Sequence, residues 1–121
     1  MAADVTLSYY DRSKQVVIQT DWSKQGVGAV LLQDGRPVHY GSKALVGSEQ
    51  DFAPIEGEML AIVYATTKWH HYLYGRRFLV ETDHKPLVDI KKKNISLAPP
   101  RIRGMLMQTN QYDFELRHEL G

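Results

Sequence analysis

Residues 15–42, QVVIQTDWSKQGVGAVLLQDGRPVHYGS, decide how this chain folds. Gln15–Asp21 carries a β-branched run, Val16-Val17-Ile18, that reads as a buried strand ending at Asp21. Trp22–Gly26 is turn material, and Gly28–Gln33 is a second apolar strand. Asp34-Gly35 predicts a tight hairpin, because both residues tolerate the positive φ that two-residue turns need. Pro37–Ser42 alternates as a third strand. Three strands joined by such short turns form an antiparallel meander.

Downstream the periodicity changes. Ile55, Met59, Ile62, Val63, Thr66 and Trp69 recur at spacings of three and four, one face of a helix. Ser48 or Asp51 can cap it, Pro54 suits a first turn, and Gly75 suits a left-handed stop after Tyr74. A helix of that extent would be about 30 Å long. Phe78–Thr82 is a fourth strand ending at Asp83, and His84–Ile90 a short helix. Lys91–Asn94 and Pro99-Pro100 mark an exposed connection. Arg101–Gln111 is helical in character, and Tyr112–His118 alternates as a fifth strand. The expected order is β-β-β-α-β-α-α-β. A strand–helix–strand crossover after the meander allows parallel pairing, so the expected class is α/β with a five-stranded mixed sheet.

With 121 residues, 43% hydrophobic and 24% charged, the chain has room for one globular domain. No cysteine is present, which excludes disulfides, zinc–thiolate sites and a cysteine nucleophile. The first residues lack the basic and apolar regions of a secretory signal, so an intracellular location is expected. Apolar stretches such as Ala61–Ala65 are too short to span a bilayer, so no membrane association is expected. The net charge of +1 conceals an asymmetry. Residues 1–60 hold five Lys/Arg and eight Asp/Glu, while residues 61–121 hold ten and six. An acidic half suits a cation site, and a basic half suits a polyanion.

The candidate chemistry lies at strand ends. Asp21 and Asp83 each close an apolar strand, and carboxyl ends of strands with helical crossovers are the usual place for sites. If those strands are parallel neighbours, both aspartates reach one edge. The helix adds Glu56 and Glu58, both flanking its apolar face, and spacing does not choose between them. Converging carboxylates repel one another, and a hard divalent cation such as magnesium relieves that repulsion. Adjacent His70-His71 point about 100° apart on a helix and form no metal pair. Gly26-Val27-Gly28 lacks the following helix of a phosphate loop.

A family resemblance runs through the same residues. Gln19–Ser23 with Gly26–Gln33, Pro37–Leu45, Ile55–Val63, His71–Gly75, Thr82–Leu87 and Ala98–Arg101 follow one another in order. Together they resemble the RNase H domain of gypsy-type LTR retrotransposon reverse transcriptases. The resemblance implies an RNase H-like fold over residues 1–121. It implies a metal-dependent endonuclease that cuts the RNA strand of RNA–DNA hybrids, using Mg2+ or Mn2+. It implies a partner in the rest of a reverse transcriptase polyprotein, and work in a cytoplasmic retroelement particle or the nucleus. By position, Asp21, Glu58 and Asp83 match three carboxylates of the family's metal-binding set, and Glu56 matches a noncatalytic glutamate. His118 falls where the family has a tyrosine or histidine that assists product release.

The same resemblance implies a final helix carrying a fourth aspartate beyond the fifth strand. This sequence reaches only Gly121, so a truncated domain with weak or no cleavage is expected. The competing expectation is a degenerate, noncatalytic module that binds nucleic acid or protein. Lys85, Lys91, Lys92, Lys93, Arg101 and Arg103 are the candidates for contact with the nucleic-acid backbone. Trp22 stands where the family often has a small residue, beside the first expected metal ligand.

Overall fold

The computed structural model describes residues 2–92 and 98–119. Strands β1 (Ala2–Thr6), β2 (Val17–Trp22), β3 (Gly26–Gln33) and β4 (Arg36–Ala44) come first. Helices α1 (Pro54–Lys68) and α2 (His70–Leu73) follow, then β5 (Arg77–Thr82), α3 (Lys85–Lys92), α4 (Pro100–Thr109) and β6 (Asp113–His118). Among the described residues the strands form one sheet in the order β1-β4-β3-β2-β5-β6.

The expected meander is β2-β3-β4, antiparallel throughout. Asp34 and Gly35 take φ values of 54° and 72°, as the two-residue turn requires. Leu31 pairs with His39 but Leu32 with Pro37, leaving Val38 as the extra residue of a bulge. Proline has no N–H for the ladder, which suits a break there. The crossover through α1 sets β5 parallel to β2, and β6 is parallel to β5.

Two expectations are corrected. Among the described residues the sheet has six strands, not five: β1 pairs antiparallel with β4, from Ala2 opposite Lys43 to Thr6 opposite His39. An edge strand with solvent on one side needs no apolar run, so AADVT gave no signal. The long helix is also divided. Gly47–Asp51 is a separate 3-10 turn, α1 begins only at Pro54, and Trp69 leaves helical geometry at φ −106° and ψ 30°. Trp69 is buried in the core, and the single turn of α2 then reaches the expected left-handed Gly75, at φ 82°. At 15 residues α1 is about 22 Å long, shorter than the sequence suggested.

One face of the sheet holds the core. Ile18, Leu31, Val80 and Phe78 meet Met59 and Ile62 of α1, with Leu87 of α3 and Ile102 of α4 alongside. Each such side chain contributes about 1.5–3 kcal/mol by leaving water. This packing fixes α1 across β2 and β3, so its N-terminal turn sits near the ends of β2 and β5. Among the described residues no helix is long and apolar enough to cross a membrane.

Candidate active site

Asp21 is the penultimate residue of β2, and Asp83 directly follows β5. The parallel ladder sets Gln19 opposite Glu81, and the Gln19 side-chain amide donates to the Glu81 carboxylate at 2.8 Å. Continued along both strands, that register brings Asp21 level with Asp83. Both aspartates are exposed. Asp21 accepts the Trp22 backbone N–H at 2.9 Å, which turns its carboxylate toward the end of the strand.

Glu58 comes from the first turns of α1 and is buried, only 6% exposed. Its Oε2 is buried without a hydrogen-bond partner. Burial pushes the Glu58 carboxyl up from 4.5 to about 7, the negative charges of Asp83 and Asp21 add to the rise, and the Thr82 hydroxyl pulls it back. Glu58 therefore senses the charge of both aspartates. The three carboxylates do not close into a finished chelate: no three His, Cys, Asp or Glu side chains among the described residues are gathered so as to hold a metal ion. The donor chemistry nonetheless fits a hard cation. All three groups offer only oxygen, and an orphaned buried carboxylate oxygen is a group that gains most from a cation.

Geometry separates the two glutamates that spacing left open. The Glu56 Oε1 accepts the Ala53 backbone N–H at 2.8 Å, capping a helix whose Ala53 cap has no oxygen of its own. Its Oε2 accepts from the Arg101 guanidinium at 2.9 Å. Both Glu56 oxygens are thus engaged in structure, whereas Glu58 keeps a free one. Glu56→Ala is expected to cost about 1 kcal/mol in a thermal melt, the usual worth of a helix cap.

His118 closes β6 opposite Thr82, and its Nε2 lies 3.2 Å from the Asp83 backbone oxygen. That oxygen only accepts, so Nε2 carries the proton in this bond. The basic candidates divide. Lys85 is exposed at the start of α3, just after Asp83. Arg101 lies over the Phe52 ring at 4.5 Å and is paired with Glu56, so it also ties α4 to the start of α1. Arg103 is half-buried on α4, with its backbone N–H bonded to Pro99. Lys91 and Lys92 fall in the last turn of α3, their side chains outside the description, and Lys93 lies outside the described residues.

Sequence reasoning missed Thr82 and the partner of Trp22. Thr82 is 1% exposed and faces Glu58; its only sequence signal is its place before Asp83. The Trp22 indole lies against Gly57 of α1. A cleft of about 610 Å³ lined by Tyr10, Arg12, Tyr74 and Arg76 lies at the other end of the strands, away from the carboxylates.

Comparison with known proteins matches this architecture. Residues 11–112 match the family model for the RNase H-like domain found in reverse transcriptase. The retrovirus-related Pol polyprotein from transposon gypsy of Drosophila melanogaster is 47% identical over 109 residues, covering 88% of this chain and 10% of that protein. The chain thus spans about a tenth of the length of the curated relatives it matches. Among solved structures, the native protease-reverse transcriptase of prototype foamy virus superposes with a TM-score of 0.74 at 18% identity, covering 94% of this chain and 16% of that one. The foamy viral enzyme also matches in its complex with an RNA/DNA hybrid, at 0.69 and 18% identity, covering 92% and 16%. RNase H1 from Halobacterium salinarum gives 0.65 at 18% identity, covering 87% of this chain and 85% of that one.

Proposed function

Because the chain belongs to the RNase H-like domains found in reverse transcriptase, we propose that it is the part of a retroelement polyprotein that cuts the RNA strand of RNA–DNA hybrids. The observation that carries this reading is Glu58: a buried carboxylate with an unpartnered oxygen, held up at about 7 by burial and by Asp83 and Asp21. A purely structural carboxylate is paired with a cation or hydrogen-bond donors, as Glu56 is.

Asp21, Glu58 and Asp83 would hold Mg2+ or Mn2+. Bound there, divalent ions supply a more acidic attacking water and charge stabilisation for the departing 3′ oxygen. The protein's own contribution is placement. The parallel β2–β5 ladder carries the two aspartates at neighbouring strand ends, and α1 carries Glu58 within reach of their charge. His118 donates its Nε2–H to the Asp83 backbone carbonyl, which holds the ring beside Asp83; it would reach a phosphate oxygen or the leaving strand only on giving up that bond. Lys85, exposed two residues after Asp83, would meet the nucleic-acid backbone. Backbone and 2′-hydroxyl contacts make such cleavage tolerant of sequence.

The test is cleavage of a labelled RNA–DNA hybrid in Mg2+ or Mn2+, beside Asp83→Asn. The RNA strand is expected to be cut, with the variant slower by about 100-fold or more, roughly 2.7 kcal/mol of lost transition-state stabilisation. Hybrid binding with no metal-dependent cleavage by the wild type would sink the enzyme reading in favour of a binding module.

A further inference from the structure

We propose that Trp22 is a positioning residue: seated on the bare Cα of Gly57, its indole sets the separation between Asp21 and Glu58. The proposal rests on the reading of those carboxylates as cation ligands.

The contact occupies a telling place in both segments. Trp22 follows Asp21 at the end of β2, and Gly57 precedes Glu58 in the first turn of α1. The 22–57 contact therefore lies one residue from each carboxylate, and its thickness sets how near strand and helix come. A Cβ at Gly57 would fall 2.0 Å from the indole Nε1, 2.1 Å from Cε2 and 2.4 Å from Cδ1. Only glycine admits the ring so close to the helix backbone. Gly57 has ordinary helical backbone, so the ring alone explains the residue.

Neither side of the contact yields easily. The Trp22 backbone N–H is bonded to Asp21, its cross-strand neighbour is Val27, and its ring packs on the Val27, Leu45 and Ala61 cluster. On the helix side, Glu56 ties the first turn to Ala53 and to Arg101, which in turn lies over Phe52. A change in the spacer is thus passed on to the carboxylates rather than absorbed. The Trp22 Nε1–H is also buried without an acceptor. An apolar ring of similar reach would fill the space without that penalty, so shape is what the position demands.

The experiment follows Mn2+ binding to the intact chain through the electron paramagnetic resonance signal of the free ion. Melting curves and hybrid cleavage are recorded alongside. Gly57→Ala and Trp22→Ala are each expected to weaken Mn2+ binding about tenfold, the usual scale for groups that orient metal ligands. Trp22→Phe is expected to stay within about threefold of wild type, since an aromatic spacer remains. In the double variant Trp22→Ala/Gly57→Ala the added methyl has space, so Gly57→Ala should weaken binding little beyond Trp22→Ala alone. Melting temperature separates misplacement from unfolding, and Trp22→Ala, which creates no clash, carries the test should Gly57→Ala not fold. Wild-type Mn2+ affinity in folded Trp22→Ala, or an undiminished Gly57→Ala effect in the double variant, overturns the proposal. Mn2+ binding lost in Glu58→Gln but untouched by Trp22→Ala sinks the spacer alone. Wild-type protein that binds no Mn2+ sinks the carboxylate reading and the spacer with it.

Discussion

Glu58→Gln is expected to stabilise the metal-free protein at pH 8 and to do little at pH 5. The folded state raises this carboxyl from 4.5 to about 7, because charging it means burying a charge near Asp83 and Asp21. A raised acid binds its proton more tightly folded than unfolded. Stability therefore falls as pH rises from about 4.5, and the full penalty is present above about 7. That interval is worth on the order of 3 kcal/mol, since one pH unit of pKa change corresponds to about 1.4 kcal/mol. The neutral, isosteric amide escapes the penalty, so its melting temperature at pH 8 in chelator should exceed wild type by roughly 10 °C. A divalent cation should reverse the order. It stabilises the wild type by binding only the folded state, and gives the variant much less. Equal effects of the substitution at pH 5 and pH 8 would show that the charge on Glu58 is not the source. The sign bears on the proposed function: the charge of Glu58 near Asp83 and Asp21 stores instability that the proposed cation would relieve.

What the sequence made legible follows the strength of its local signals. Asp34-Gly35 between apolar alternations permits one turn and hence one register, and the β2-β3-β4 meander follows. The crossover through α1 made parallel pairing expected, and with it the meeting of Asp21 and Asp83 at one edge. β1 escaped because its order derives from the exposed edge of β4, not from its own residues. The break at Trp69 escaped because the apolar spacing continues through it, while the backbone departs to sink the indole into the core. Glu56 and Glu58 differ by what meets each one, a helix cap and Arg101 against two aspartates. The Trp22–Gly57 contact joins residues 35 apart, beyond the reach of any local pattern.

Phe78→Ala is expected to remove about 3–5 kcal/mol of stability, the range for truncating a buried phenylalanine, and to do so unevenly. Phe78 is 2% exposed in β5 and pairs in register with Phe114 of β6. Their rings stack with centroids 5.4 Å apart, and the Tyr112 ring meets Phe78 edge-on at 6.4 Å. Among the described residues, β6 is attached to the sheet only through β5. The exposed Arg77–Asp113 ion pair at the start of that ladder adds little, as surface pairs usually do. Loss of the Phe78 ring thus leaves a cavity at the seam that holds β6. Amide hydrogen exchange should rise first along Phe114–His118, while β2 and β3 keep more of their protection. Because His118 reaches Asp83 only by way of β6, the variant should lose that contact before the carboxylates separate. Exchange that quickens equally in β3 and β6 would mean the sheet opens as one unit, and that His118 is held at the site by the whole fold rather than by this aromatic seam.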